Sequence, residues 1–163
     1  MKLSTVSLAI GLAVGSVSAF AAGGPLDVSS GSAGFASTPG AGSFSEVFTF
    51  SLATPSTLTG AISSVVNGGQ NIDFGTITLA GPAGSFSFAK ILSDPFELWT
   101  ISTGALSAGS YSLTLTGTNS PAIATYSGNI ALAPVPEPEA YAMMLAGLGV
   151  IGFVAIRRRS DKA

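Results

Sequence analysis

Few residues in this chain could do chemistry. Between Ala22 and Ala133 the charged side chains are Asp27, Glu46, Asp73, Lys90, Asp94 and Glu97, and the chain has no cysteine and no histidine. That removes Cys-His and Ser-His-Asp nucleophiles, thiolate or imidazole zinc sites and haem axial histidines. A glycosidase needs two carboxylates across one cleft, about 5–9.5 Å apart. Glu46 with Asp73, or Asp94 with Glu97, are the pairs that could be imagined. Six charges scattered over turns and strand faces are, however, what a solvated domain carries to stay soluble. No nucleophile–base pair is identifiable, so no enzyme activity and no cofactor are expected. Asn67, Asn71 and Asp73 offer three oxygen-bearing side chains to a calcium ion, which takes six to eight ligands, and they lack EF-hand spacing. No metal site is expected from them. Trp99 is a candidate glycan contact through ring stacking. Its neighbours Phe96 and Ile101 favour a place in the core.

More information lies in the two ends. The N-terminal stretch has Lys2, an apolar run from Leu3 through Val17 and the ending Ser18-Ala19-Phe20-Ala21. One positive charge, a short apolar core and a small-x-small ending describe a secretory signal peptide, residues 1–21, cut after Ala21 or, alternatively, after Ala19. Signal peptidase and the Sec translocon are the partners this implies. At the other end Ala140–Ile156 is uncharged and almost wholly apolar, about 17 residues, or roughly 25 Å of helix. That reaches the lower limit of a membrane span. Glu137 and Glu139 precede it, and Arg157, Arg158 and Arg159 follow as a membrane stop. Arginine costs about 2.5–3.5 kcal/mol at mid-bilayer, and the positive-inside rule places the triplet of the 157–163 tail in the cytoplasm. Gly147-Leu148-Gly149-Val150-Ile151-Gly152 spells G-x-G-x-x-G, but no strand precedes it and no acidic residue lies about 20 positions on, so it is not a dinucleotide site.

Between body and helix lies Pro134-Val135-Pro136-Glu137-Pro138-Glu139. Three prolines in this short stretch favour an extended conformation and oppose both helix and strand. Val135-Pro136-Glu137-Pro138, then a Gly-rich apolar span, then Arg157–Arg159, resembles the PEP-CTERM sorting signal of Gram-negative bacteria. The resemblance implies recognition by exosortase, a multi-spanning membrane enzyme thought to cleave near the Pro-Glu-Pro. It also implies that Val135, Pro136, Glu137 and Pro138 carry recognition, with passage through the inner membrane transient. The protein would then end at the cell surface or outside the cell.

The chain has 163 residues, 47% hydrophobic and 9% charged, with 21 glycines, 9 prolines and a net charge of −2. Its mean hydropathy of +0.57 is high for a soluble domain and fits apolar segments at the ends. High hydrophobicity with low net charge opposes disorder. The basic residues are Lys2, Lys90, Arg157, Arg158, Arg159 and Lys162, which leaves no stripe for a nucleic-acid backbone. The exported body, about 112 residues, is the size of one domain. Residues 22–42 are Gly/Ser-rich with little periodicity and read as a flexible arm or an edge strand. From Ser43 to Ala133 period-2 alternation recurs. Phe44, Phe48, Phe50 and Leu52 share one face of a first strand. Leu58 and Ile62 fit a second, ended by Asn67-Gly68-Gly69, and Ile72–Leu79 a third, closed by Gly81-Pro82. Phe86 and Phe88 mark a fourth, Phe96–Ile101 a fifth, Tyr111, Leu113 and Leu115 the sixth, and Tyr126, Ile130 and Leu132 the last. About seven short strands predict an all-β, antiparallel β-sandwich.

The body is also similar to the FxDxF type of PEP-CTERM protein. Phe44-Ser45-Glu46-Val47-Phe48 occupies the motif's place with Glu46 for its aspartate, and Leu106–Leu115 and Tyr126-Ser127-Gly128 resemble its last two strands. The combined expectation is an exported cell-surface or extracellular protein, processed by exosortase and associated with extracellular polysaccharide or biofilm matrix. A carbohydrate-binding module or calcium-dependent lectin, and a permanently anchored surface adhesin, are the alternative readings.

Overall fold

The computed structural model describes residues 23–66, 68–120, 124–136 and 138–160, without the side chains of 138–141, 153–156 and 158–160. The chain is predominantly β. Its strands are β1 (Gly24–Pro25), β2 (Ser32–Ser37), β3 (Gly42–Leu52), β4 (Ser56–Val65) and β5 (Asn71–Gly81). They continue with β6 (Gly84–Ser87), β7 (Ala89–Leu92), β8 (Phe96–Ser102), β9 (Gly109–Ser120) and β10 (Tyr126–Pro134), and a helix, α1 (Pro138–Ser160), follows. The ten strands form two five-stranded sheets, ordered β1-β3-β9-β5-β6 and β2-β10-β4-β8-β7. All pairings are antiparallel except β1 with β3.

Alternation drives the layering. Along β3, Phe48, Phe50 and Leu52 are buried while Ser45, Thr49 and Ser51 are exposed. Along β9, Tyr111, Leu113 and Leu115 are buried and Ser112, Thr114 and Thr116 face outward. The inner faces of both sheets contribute to one apolar cluster, in which Phe35 of β2 meets Phe48 of β3 at 4.6 Å between ring centroids. Each such side chain contributes roughly 1.5–3 kcal/mol on burial. A bulge between Phe74 and Thr76 resets the parity of β5, so that Phe74 and Ile77, three apart, both point inward.

Three details differ from the alternation reading. Phe86 and Phe88 do not share one strand. β6 pairs with β5 in one sheet and β7 with β8 in the other, and the chain crosses between them at buried Phe88, whose N–H donates to Ile77 O at 2.9 Å. The two further strands of the described residues, β1 and β2, come from 22–42, where small residues hide the period. Both lie at sheet edges. Finally, Phe96 is exposed and Glu97 buried, so β8 turns Glu97, Trp99 and Ile101 inward.

Candidate functional site

The sorting segment leaves the body from the end of β10. Pro134 is the last residue paired with β4, opposite Ser56, and the Val135 N–H donates to Pro55 O at 2.9 Å. Val135 is half-buried against the body, whereas Pro136 is exposed. Glu137 lies outside the described residues. Pro138 opens α1, the position where a fixed φ and a missing N–H suit a helix start. Four residue steps separate Pro134 from Pro138, so the body lies within about 14 Å of the helix start. Val135 and Pro136 thereby lie between the end of β10 and the start of α1.

α1 has 23 residues. Its described side chains from Ala142 to Gly152 are all exposed, Met143 to 75% and Ile151 to 67%. Among the described residues no helix is long and apolar enough to cross a membrane. The flanks of the apolar run read from sequence, Tyr141 and Phe153–Ile156, are side chains outside that description. Arg157 is exposed in the last turns, where a cation complements the helix dipole. The side chains of Arg158 and Arg159, and the signal-cleavage residues Ala19 and Ala21, lie outside the described residues.

The body carries two buried carboxylates that composition alone made into solvating charges. Glu97 is 1% exposed and accepts from the Phe74 N–H at 3.1 Å, the Trp99 Nε1–H at 3.0 Å and Lys90 Nζ at 2.6 Å. It therefore ties β8 to the facing sheet at β5. Lys90, with a side chain 39% exposed, also lies 5.8 Å over the Trp99 ring, and its ammonium is held above the usual lysine range by the Glu97 hydrogen bond. Glu46 accepts from Ser37 Oγ at 2.9 Å and from the Tyr126 hydroxyl. This joins β3 to β2 and β10 of the other sheet. Burial, and then the Glu46 carboxylate, push the Tyr126 phenol far above its ordinary value. Parity along β3 and β8 was the signal for both: Glu46 is in step with Phe44 and Phe48, and Glu97 with Trp99 and Ile101.

The four carboxylates suggested in pairs have other hydrogen-bond partners. Glu46 and Glu97 are each committed to core donors, while Asp73 and Asp94 are linked through Asn71, whose Nδ2 lies 3.2 Å and 3.3 Å from their Oδ2 atoms. Among the described residues no three His, Cys, Asp or Glu side chains cluster as metal ligands. Asn67 lies outside them. Trp99 is 9% exposed, edge-on to Phe74 and bonded to Glu97, so its ring offers no open face for a sugar.

No curated protein matches the chain. Residues 134–159 match the family model of the PEP-CTERM protein-sorting motif, and this span starts where the last strand ends and takes in nearly all of α1. Residues 134–159 thus carry a PEP-CTERM protein-sorting motif, which supports an exported protein targeted to exosortase.

Proposed function

We propose that this is a secreted surface or matrix protein with a β-sandwich body, released from the inner membrane by exosortase and associated with extracellular polysaccharide. The observation that carries the reading is the sorting motif at residues 134–159, which begins where β10 ends and runs through most of α1. The described side chains of α1 from Ala142 to Gly152 are apolar or small and all exposed, which favours lipid over water and supports a membrane seat for the apolar run. No helix of the described residues is by itself long and apolar enough to cross. In this reading residues 1–21 are removed on export. α1 then lodges in the inner membrane with Arg157–Arg159 in the cytoplasm, and Val135–Pro138 are presented on the exported side. The body does no catalysis: its two buried acidic groups, Glu46 and Glu97, serve packing, and its outward Ser and Thr rows present uncharged hydroxyls to a hydrated polymer.

Immunoblotting and C-terminal mass spectrometry of cells with and without the processing enzyme test the proposal. The mature protein is expected to lose about 25 C-terminal residues only when the enzyme is present. Equal masses in the two strains refute processing. Recovery of the mature body in the soluble phase, with none in the polysaccharide fraction, refutes matrix association.

A further inference from the structure

The turn Leu26–Gly31 spans the two sheets at one end of the body. The Leu26 N–H donates to Thr49 O of β3 at 2.7 Å, and the Leu132 N–H of β10 donates to Gly31 O at 2.8 Å. Between this turn and the ends of β3, β4 and β10 lies a groove of about 1000 Å³. It is the size of a small-molecule cleft and is pinned by backbone bonds at both sides, so it exists before any ligand arrives.

Its lining has a consistent chemistry. Hydroxyls come from Ser29, Thr49, Ser51 and Ser110, and the apolar floor from Leu26, Val28 and Leu132. The Ser51 and Ser110 hydroxyls lie 3.1 Å apart across β3 and β9, so the groove opens onto the outward hydroxyl rows of that sheet. Among the described residues one charged side chain lines the groove, Asp27, whose Oδ1 accepts from the Ser29 N–H at 2.9 Å. The Ser29 hydrogen bonds hold this carboxyl below the usual aspartate range, so it is anionic at neutral pH. The one basic residue of the body, Lys90, is bound to Glu97 and does not line the groove. An anionic polymer would meet a carboxylate with no cation to offset it. A ligand with many neutral hydroxyls finds donors and acceptors for its edges, a carboxylate to accept from it and an apolar floor for its C–H faces.

We propose that this groove is a binding site for a neutral, hydroxyl-rich glycan chain. It rests on the reading that the body meets extracellular polysaccharide, and names where. Site and ligand class differ from a stacking platform at Trp99.

The test uses the full chain in neutral-detergent micelles, titrated by calorimetry with dextran, laminarin and mannan oligomers as neutral probes and with alginate oligomers as an anionic one. Ser51→Trp and Ser110→Trp fill the groove from exposed positions, and Ser87→Trp on exposed β6 is the control. Circular dichroism establishes that each variant is folded. At least one neutral probe is expected to bind, with affinity reduced tenfold or more by both groove variants and unchanged by Ser87→Trp. Binding that survives both groove variants overturns the site while leaving polysaccharide association standing. Preference for alginate overturns the ligand class, and no binding of any neutral probe overturns the proposal. Matrix fractionation of the native protein reads the parent proposal independently.

Discussion

Replacing Glu97 by alanine probes how the two sheets are held together. The carboxylate accepts from the Phe74 and Trp99 N–H groups and from Lys90. Alanine leaves two buried donors without partners, at about 1–3 kcal/mol each. Lys90 can turn to water because its side chain is partly exposed, so its share is small. The expected loss is about 3–5 kcal/mol, the range for breaking a buried ionic cluster from one side. For a body of this size that is a fall in melting temperature on the order of 15 °C. Lys90→Met removes only the outer partner and is expected to cost about 1–2 kcal/mol, since the carboxylate keeps two N–H donors. Urea denaturation of the full chain in neutral detergent measures both, followed by far-UV circular dichroism and by Trp99, the sole tryptophan. A Glu97→Ala loss below about 1 kcal/mol, or a Lys90→Met loss equal to it, would refute the assignment of the two N–H groups as the main partners.

The second buried carboxylate gives a pH-dependent prediction. The folded state raises the Tyr126 phenol's pKa, so its contribution to stability is complete below the ordinary phenol value and declines as pH rises beyond it. Ultraviolet titration should show no Tyr126 phenolate before the body unfolds in alkali, and Tyr126→Phe should cost about 1–3 kcal/mol at neutral pH by depriving Glu46 of a donor. A Tyr126 phenolate forming in folded protein near pH 10 contradicts this. Steric fit supplies a third. A Cβ at Gly117 would lie 2.4 Å from Asp73 O and 2.9 Å from the Phe44 ring, and backbone cannot yield as a side-chain tip does. Gly117→Ala should destabilise by about 1–3 kcal/mol in chemical denaturation, and a neutral result would show that β5 and β9 can separate there without cost.

The sequence made the regular part of the fold legible wherever large apolar residues alternate with Ser or Thr. Phe48-Thr49-Phe50-Ser51-Leu52 and Tyr111-Ser112-Leu113-Thr114-Leu115 declare their faces without help. Where the inward residue is charged, the same periodicity is overruled by the expectation that charges face water, so Glu46 and Glu97 read as solvated although they stand in phase with the core. Residues 32–37, Ser-Ala-Gly-Phe-Ala-Ser, carry too little bulk to show a period, yet Ala33 and Phe35 are buried once β10 lies beside them. The crossing at Phe88 was hidden because Phe86 and Phe88 obey strand spacing while their strands join different sheets. The groove has no local signature at all, since its walls come from segments distant in sequence. The tail is the opposite case: proline spacing, an apolar run and an arginine cluster sit next to one another, and short-range order is what a linear reading sees.

The bond from Val135 to Pro55 leaves little slack between the globule and the start of α1. A protease that grips Pro136–Pro138, as proposed, must work within about 14 Å of a folded domain. Its substrate channel would then have to be wide or shallow, and a bulky cargo fused this close would crowd the proposed cut.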